Sequence, residues 1–170
     1  FDQAIQYLRE KNMILAKKKQ GNDAKISILG LASTPNSFLS LRVNSETDFV
    51  ARNNDFLKFV NASIAKVVDH QHLFTEGLNS VTGDILDGVR CAVGSLRDDQ
   101  DQITARTQEK IEIAEVFKDA LAEGEALGTY VHKQLRENIG PSFAYVVVRA
   151  EGKASDQTLR EVGDQLAAHV

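Results

Sequence analysis

Within residues 38–68 the spacing of apolar residues changes from that of a β-strand to that of a helix, and this change constrains the fold more than any other feature of the sequence. Leu39, Leu41 and Val43 alternate with polar neighbours, which is the period of a half-buried β-strand. From Phe56 onward, apolar residues recur at the spacing of an amphipathic helix. A strand followed closely by such a helix favours a mixed fold in which helices cover a sheet.

Apolar periodicity and turn residues predict the other elements in the same way. A turn at residues 34–37 joins the strand at 38–44 to an earlier strand that begins near Ile26, so these two strands are predicted to form a hairpin. The order of the elements predicts an α+β fold, with an antiparallel sheet covered by helices. The predicted helices are 2–19, 53–69, 82–97 and 156–169, with further strands around Ile111 and at 143–149 and a polar connection at 70–80.

Two of the predicted helices also indicate which side chains are buried. Helix 82–97 carries apolar residues at helical spacing, and the lone Cys91 lies within that pattern, so Cys91 is expected to be a buried structural cysteine. In the C-terminal helix, Leu159, Val162 and Leu166 share one face and are expected to point toward the core.

Charge and composition limit the partners that this chain is expected to bind. The net charge is −4 and the isoelectric point about 5.6, so no general attraction to nucleic acid is expected. No apolar run approaches the roughly 20 residues needed to span a bilayer, so no membrane partner is expected. The first residue is Phe1 rather than methionine, and it lies within a helical pattern, as expected of a processed or partial chain.

No motif in the sequence indicates an enzyme or a cofactor site. There is no glycine-rich loop ending in Gly-Lys-Ser/Thr, no serine nucleophile elbow and no His-Glu-x-x-His. We therefore expect no catalytic residue and no cofactor. His70 and His72, which follow Asp69, leave open a metal-dependent hydrolase, although no third or fourth ligand stands at a recognised spacing.

The segment 47–53, with the sequence TDFVARN, lies between the predicted strand and the predicted helix 53–69. Thr47 can cap a short helix, with Asp48 in its first turn, where a negative charge is favourable. Phe49 leaves two interpretations open, because an aromatic residue at such a junction can either pack into the core or contact a partner.

This segment, preceded by Val43-Asn44, resembles the signature of the elongation factor Ts family, which exchanges guanine nucleotide on the GTPase elongation factor Tu. Three further stretches resemble the same family in the same order along the chain. Residues 4–11, followed by 16–18, are similar to the last helix of the family's N-terminal three-helix domain and the linker after that helix. Residues 127–132 are similar to the family's Gly-x-Tyr-x-His segment. Residues 143–149 and 167–170 are similar to the end of the family's core domain.

The resemblance implies two domains, namely residues 1–22 as the last helix of the N-terminal helical domain with its linker, and residues 23–170 as the core domain. It implies no enzyme activity but guanine nucleotide exchange on elongation factor Tu during protein synthesis. Asp48 and Phe49 are implied to form the primary exchange element, with His132 as a second contact. The residues implied to hold the turn in shape are Thr47, Val50 and Arg52.

The chain also departs from the family pattern. Ser45 stands where many members have cysteine, the stretch 95–99 differs from the usual sequence, and residues 133–138 form an extension where bacterial members have a short glycine-rich turn. The first two N-terminal helices, the coiled coil and the second core module of longer members have no counterpart here. These departures resemble the mitochondrial branch, which implies the mitochondrial matrix, with the bacterial cytoplasm as the alternative. They also leave open a structural or assembly subunit that keeps the fold without exchange activity.

Overall fold

The computed structural model describes residues 2–152 and 154–170, and it confirms the α+β fold with an antiparallel sheet flanked by helices. The helices are α1 (Asp2–Lys19), α2 (Asp48–Ala51), α3 (Asn54–Asp69), α4 (Gly83–Gly88), α5 (Leu96–Thr107) and α6 (Asp156–Ala167), with a 3-10 turn at Gln71–Leu73. The strands are β1 (Ile26–Thr34), β2 (Ser37–Ser45), β3 (Gly77–Ser80), β4 (Arg90–Cys91), β5 (Gly94–Ser95), β6 (Ile111–Ala120), β7 (Glu125–His132), β8 (Ile139–Gly140) and β9 (Ser142–Arg149).

Five strands form the main sheet, in the order β3-β6-β2-β1-β8, and all the pairings are antiparallel. The predicted hairpin of β1 and β2 is confirmed, and its two strands pair from Ile26 with Ser45 to Thr34 with Ser37. Helix α3 packs across β1 and β2. The largest buried side chains of this layer are Leu39, Leu41, Val43, Phe56, Val60 and Val67.

Strands β7 and β9 form a separate two-stranded sheet that joins the main sheet through aromatic side chains. Phe38 on β2 is fully buried, and its ring stacks on that of Tyr145 with 4.9 Å between the ring centroids. Phe117 and Phe143 complete the cluster. Helix α6 packs against β7 and β9. The C-terminal part of the chain is thus a β-hairpin and a helix attached to one side of the core.

Helix α1 has the predicted bounds, but none of its residues is fully buried. It lies against α5, and the Arg9 guanidinium donates a hydrogen bond of 3.5 Å to the carbonyl oxygen of Val93. Among its apolar residues, Leu8 and Ile14 are exposed. This helix is therefore an appendage of the core layer rather than part of it.

The prediction of one helix over residues 82–97 is wrong. Helix α4 ends at Gly88, the short hairpin β4-β5 follows, and α5 begins at Leu96. Gly94 has φ +143°, which is incompatible with a helix. Ser95 then caps α5 with a capping box, in which the Ser95 hydroxyl accepts from the Asp98 amide and the Asp98 carboxylate accepts from the Ser95 amide. The acidic run at 98–102 accordingly lies in the first turns of α5.

The prediction that Cys91 is buried is wrong for the same reason. Because the chain forms a hairpin at this point, Cys91 lies on β4 and is exposed. A hydrogen bond from the Val93 amide lowers the pKa of its thiol, and the nearby Lys66 ammonium acts in the same direction.

The predicted orientation of the C-terminal helix is also wrong. Val162 is 44% exposed and Leu166 is 46% exposed, whereas the buried residues of α6 are Gly163 and Ala167. Helix α6 contacts β7 through small residues, since Gly163 lies against Gly128. Val162 and Leu166 consequently face outward, whereas Leu159 is partly buried as predicted.

In the part of the chain that the structure describes, no helix combines the length and apolar content required to cross a membrane.

Candidate functional site

The short helix α2 directly follows β2, and its cap is set by local sequence. Thr47 has extended backbone angles, and its hydroxyl accepts a hydrogen bond of 3.4 Å from the Val50 amide. The predicted N-cap is therefore confirmed, with Asp48 in the first turn. Asn53 caps the next helix, α3, in the same way, because its side-chain oxygen accepts from the Asp55 amide at 2.7 Å.

Glu109, which precedes β6, holds the start of α2 in place. Its two carboxylate oxygens accept hydrogen bonds from the Thr47 amide at 3.1 Å and from the Thr47 hydroxyl at 2.7 Å. The Ser45 hydroxyl donates to the Thr47 carbonyl oxygen at 3.0 Å. Three hydrogen bonds from outside the helix therefore orient its N-cap residue, Thr47, and hydrogen bonds to a carboxylate are stronger than neutral ones.

We expect Glu109→Ala to lower the free energy of unfolding by about 1–2 kcal/mol, because both hydrogen bonds from Thr47 lose a partly buried charged acceptor. Chemical denaturation measures this loss. The matched control is Glu123→Ala, in the exposed turn before β7. Equal stability of the two variants would contradict the role of Glu109 in holding α2.

Phe49 is 82% exposed, more than any other aromatic residue of the described chain. The interpretation in which it packs into the core is therefore wrong. The neighbouring side chains behave differently, since Ala51 is 2% exposed and Val50 packs against the core cluster. Helix α2 thus buries one face, while Phe49 extends from the opposite one. An exposed phenylalanine on a rigid helix costs little conformational entropy when a partner covers it.

Asp48 and Arg52 form a loose ion pair on the exposed surface of α2. The Asp48 carboxylate lies 3.9 Å from the Arg52 guanidinium, and both side chains are more than half exposed. An ion pair of this kind contributes little to stability. Both charges consequently remain accessible to a partner beside Phe49.

His132 is the last residue of β7 and pairs with Ser142 of β9. Its side chain is exposed, and its ring centroid lies 6.4 Å from that of Tyr130, which is also exposed. Immediately after it, Lys133 adopts a left-handed backbone conformation with φ +49°. His132 thus stands where the chain leaves the hairpin and turns toward β8.

A groove of about 370 Å³ connects these two regions. Asp48, Ala51 and Arg52 of α2 line one side, and the residues that directly follow His132, from Lys133 to Leu135, line the other. The structure therefore brings Asp48 and Arg52 to the same groove as the turn after His132. Thr47, Phe49, Val50 and His132 do not themselves line this groove.

Glu46 ties the site to two other parts of the chain. Its carboxylate accepts hydrogen bonds from the Lys110 amide and, at 2.9 Å, from the Asn22 side chain. The backbone hydrogen bond from Lys110 is the main cause that lowers the pKa of Glu46, followed by the bond from Asn22. The ionised form of Glu46 is therefore favoured in the folded chain.

A carboxyl group whose pKa is lowered by folding contributes stability that is present above its unfolded pKa of about 4.3 and is lost as the pH falls through its folded pKa. We expect the free energy of unfolding to fall below about pH 4.3 partly through Glu46, and Glu46→Gln to reduce this dependence on pH. Denaturation at several pH values measures it, with Glu76→Gln on an exposed loop as the control. An unchanged acid dependence in Glu46→Gln would contradict the assignment.

The histidine pair offers little as a metal site. The rings of His70 and His72 lie 6.2 Å apart, and Nδ1 of His70 is 2.9 Å from the carbonyl oxygen of Lys66. Among residues 2–152 and 154–170, no group of three or more histidine, cysteine, aspartate or glutamate side chains is placed to hold a metal ion. The hydrolase alternative therefore gains no support from the geometry.

Two features of this region could not be recognised from the sequence. Glu109 stands 62 positions from Thr47, and no local pattern connects a carboxylate before one strand to the cap of a distant helix. The groove depends on the fold of residues 133–138, where the only sequence signal is that the stretch exceeds the length of a tight turn.

Comparison with known proteins identifies the family. A family model described as elongation factor TS matches residues 46–170. Elongation factor Ts, mitochondrial 2, from Paramecium tetraurelia is 32% identical over 98% of this chain and 54% of the relative. Elongation factor Ts from Rhodospirillum centenum is 31% identical over 98% of this chain and 51% of the relative. The protein of the same name from Rickettsia massiliae is 31% identical over 100% of this chain and 52% of the relative.

The chain spans about half the length of the curated relatives it matches. The family match includes α2 with Phe49, the residues of α2 and of 133–135 that line the two sides of the groove, and the strands β7 and β9. On this match and the near-complete coverage by the relatives, the chain belongs to the elongation factor Ts family.

Proposed function

We propose that this chain is a guanine nucleotide exchange factor that promotes the release of GDP from elongation factor Tu during the elongation step of protein synthesis. The observation that carries the proposal is Phe49, an exposed aromatic side chain on a helix whose N-cap residue, Thr47, is held by Glu109. Family membership supplies the partner, and we propose the mitochondrial matrix as the compartment, with the bacterial cytoplasm as the alternative.

Phe49 is suited to enter an apolar pocket of the partner. A phenylalanine buries a large apolar area on binding and has few rotamers to lose, so aromatic residues often dominate binding energy. Because α2 is held at both ends, by the Thr47 cap and by the junction to α3, Phe49 enters the partner at a fixed position. Binding energy from this contact is then available to displace elements of the partner near its nucleotide.

Asp48 places a negative charge beside that contact. A GTPase holds GDP through contacts to its phosphates and through a Mg²⁺ ion coordinated by water, protein and phosphate oxygens. A carboxylate brought near that ion competes for its water shell or repels the phosphates. The loose pairing with Arg52 leaves the Asp48 carboxylate accessible for this purpose.

His132 is the second proposed contact, and the remaining site residues position the first. His132 is exposed at the end of β7, where a ring can press on a partner's loop. Thr47 caps α2 and Val50 packs on the core, so these two residues fix the direction of Phe49. The backbone amide of Arg52 closes the helix by donating to the Asp48 carbonyl oxygen. Exchange of this kind requires no bond chemistry by the chain itself.

Nucleotide exchange requires that the chain bind two forms of elongation factor Tu with different affinities. A factor that weakens GDP binding must, by reciprocal coupling, bind nucleotide-free elongation factor Tu more tightly than the GDP-bound form. We expect a difference of at least about tenfold between the two dissociation constants, within the usual range of such coupling. Calorimetry of the purified chain with each form of the partner measures it.

Equal affinity for the two forms would contradict exchange and favour a binding or assembly role. The absence of binding to either form, with stable incorporation into a larger complex, would favour the assembly subunit that the departures from the family pattern leave open.

A further inference from the structure

We propose that the extension at residues 133–138 and helix α2 form the two walls of a docking groove for an acidic segment of the GTPase partner, with Lys133 as its principal charged contact. The inference rests on the proposed function and deepens it. It assigns a partner contact to a stretch at which this chain departs from the family pattern.

The extension is an ordered turn held against the core. The Leu135 amide donates to the Ile139 carbonyl oxygen at 2.9 Å, and the Leu31 amide donates to the Asn138 carbonyl oxygen at 2.9 Å. Ile139 is buried in β8, which pairs with β1, and Leu135 packs against the core cluster. The wall that faces α2 is consequently fixed before any partner binds, and a fixed wall loses little entropy on binding.

The residues at both ends of the turn adopt the left-handed backbone conformation. Lys133 has φ +49° and Asn138 has φ +56°. Asparagine tolerates this left-handed region, but lysine rarely occupies it. Conformations of this kind are retained where the surrounding structure imposes them, and they occur often at functional sites. Here the conformation of Lys133 directs the chain from β7 along the edge of the groove.

The charges around the groove favour an acidic occupant. Lys133 lines the groove and is exposed, and no ion pair involves it among residues 2–152 and 154–170. On the opposite wall, Arg52 is only loosely paired with Asp48. The groove therefore carries two cations and one anion, while the whole chain has a net charge of −4. This local excess of positive charge opposes the overall charge and suits an acidic side chain of the partner.

The floor of the groove is apolar. Ile28 and Ala51 are buried beneath it, and Leu135 and Pro141 form its sides. A partner segment in which a carboxylate stands next to an apolar side chain fits this groove, because the apolar side chain would contact the floor and the carboxylate would contact Lys133 or Arg52. Such a segment would contact α2 at Asp48, the residue that precedes Phe49.

Two substitutions of Lys133 separate charge from backbone geometry. Lys133→Asn removes the charge but keeps a residue that tolerates the left-handed conformation, and Lys133→Glu reverses the charge. We expect Lys133→Glu to weaken binding of nucleotide-free elongation factor Tu by about fivefold, mainly through a slower association rate, and Lys133→Asn to weaken it less. The loss should shrink as the ionic strength rises. Lys11→Glu on α1, an exposed lysine outside the groove, is the matched control.

Gln134→Trp tests the apolar floor independently, because a bulky side chain at this exposed rim position is expected to fill the groove and lower affinity. Binding kinetics of each variant of the chain, with the melting temperature as a check on folding, provide the readout. The proposed docking role of the groove is contradicted if the unmodified chain binds elongation factor Tu and the Lys133 variants and Gln134→Trp bind it as tightly as Lys11→Glu does. The proposed exchange function would stand in that case. If the unmodified chain does not bind the partner at all, the proposed function is overturned and this inference with it.

Discussion

Phe49→Ala is expected to reduce the stimulated rate of GDP release from elongation factor Tu by about 30-fold or more, since truncation of an aromatic anchor residue typically costs about 2 kcal/mol or more. The same variant should keep its melting temperature. Phe49 is 82% exposed and contributes almost nothing to the core, so its effect on the free energy of unfolding should stay within about 0.5 kcal/mol.

A matched control separates the loss of one contact from the loss of any exposed apolar surface. Leu78 on the edge strand β3 is 65% exposed, and Leu78→Ala should leave the exchange rate unchanged. Release of a fluorescent GDP analogue, measured with each variant at equal concentration, compares the two.

Two results would contradict this account of Phe49. A fall in melting temperature by several degrees in Phe49→Ala would mean that the ring packs within the folded chain. Full exchange activity in Phe49→Ala would move the site away from α2, and His132→Ala would then be the next variant to measure.

The largest expected effect on stability comes from Gly128→Ala. A Cβ atom placed on Gly128 would lie 1.9 Å from the carbonyl carbon of Gly163 and 2.3 Å from the amide nitrogen of Asp164. Both atoms belong to the backbone of α6, so no side chain can move aside. The Thr129 amide also donates to the Asp164 carboxylate at 2.7 Å, which fixes the helix at this distance.

The methyl group can be accommodated only if α6 moves away from β7. Such overpacking is expected to lower the free energy of unfolding by about 3 kcal/mol. For a chain of this length the corresponding fall in melting temperature is roughly 6–12 °C. Calorimetry measures it, and faster amide hydrogen exchange in α6 would locate the change.

Gly88→Ala is the control, because nothing lies within 4 Å of the Cβ position of Gly88 at the end of α4. This substitution should leave the melting temperature nearly unchanged. Equal melting temperatures of Gly128→Ala and Gly88→Ala would contradict the close contact between Gly128 of β7 and Gly163 of α6.

Local patterns predicted much of the structure, including the site helix. Thr47 acts as a cap through a hydrogen bond from the residue three positions away, so the sequence around it is sufficient to identify it. The strand β2 and the helix α3 were found from apolar spacings of two and about 3.6 residues, although β2 is buried on both faces rather than on one as its alternation predicted. These predictions depend on neighbours in sequence, which is why they were correct.

The errors arose where contacts between distant segments override a local pattern. Val89 and Leu96 match the spacing of one helix, yet they are buried on either side of a hairpin, where the Leu96 amide donates to the Val89 carbonyl oxygen at 3.0 Å. The orientation of α6 depends on the close approach of Gly128 and Gly163, which periodicity cannot reveal. In the first case apolar spacing identified buried residues but not the elements that carry them, and in the second it identified the helix but not the face that is covered.

Release of a fluorescent GDP analogue from elongation factor Tu, in the presence of excess unlabelled nucleotide, shows whether the chain acts as an exchange factor. The chain is added in amounts well below those of the partner. An exchange factor is released after each cycle, so the account predicts that one molecule of the chain accelerates release from many molecules of elongation factor Tu. A release rate that equals the spontaneous rate at every concentration of the chain would contradict it.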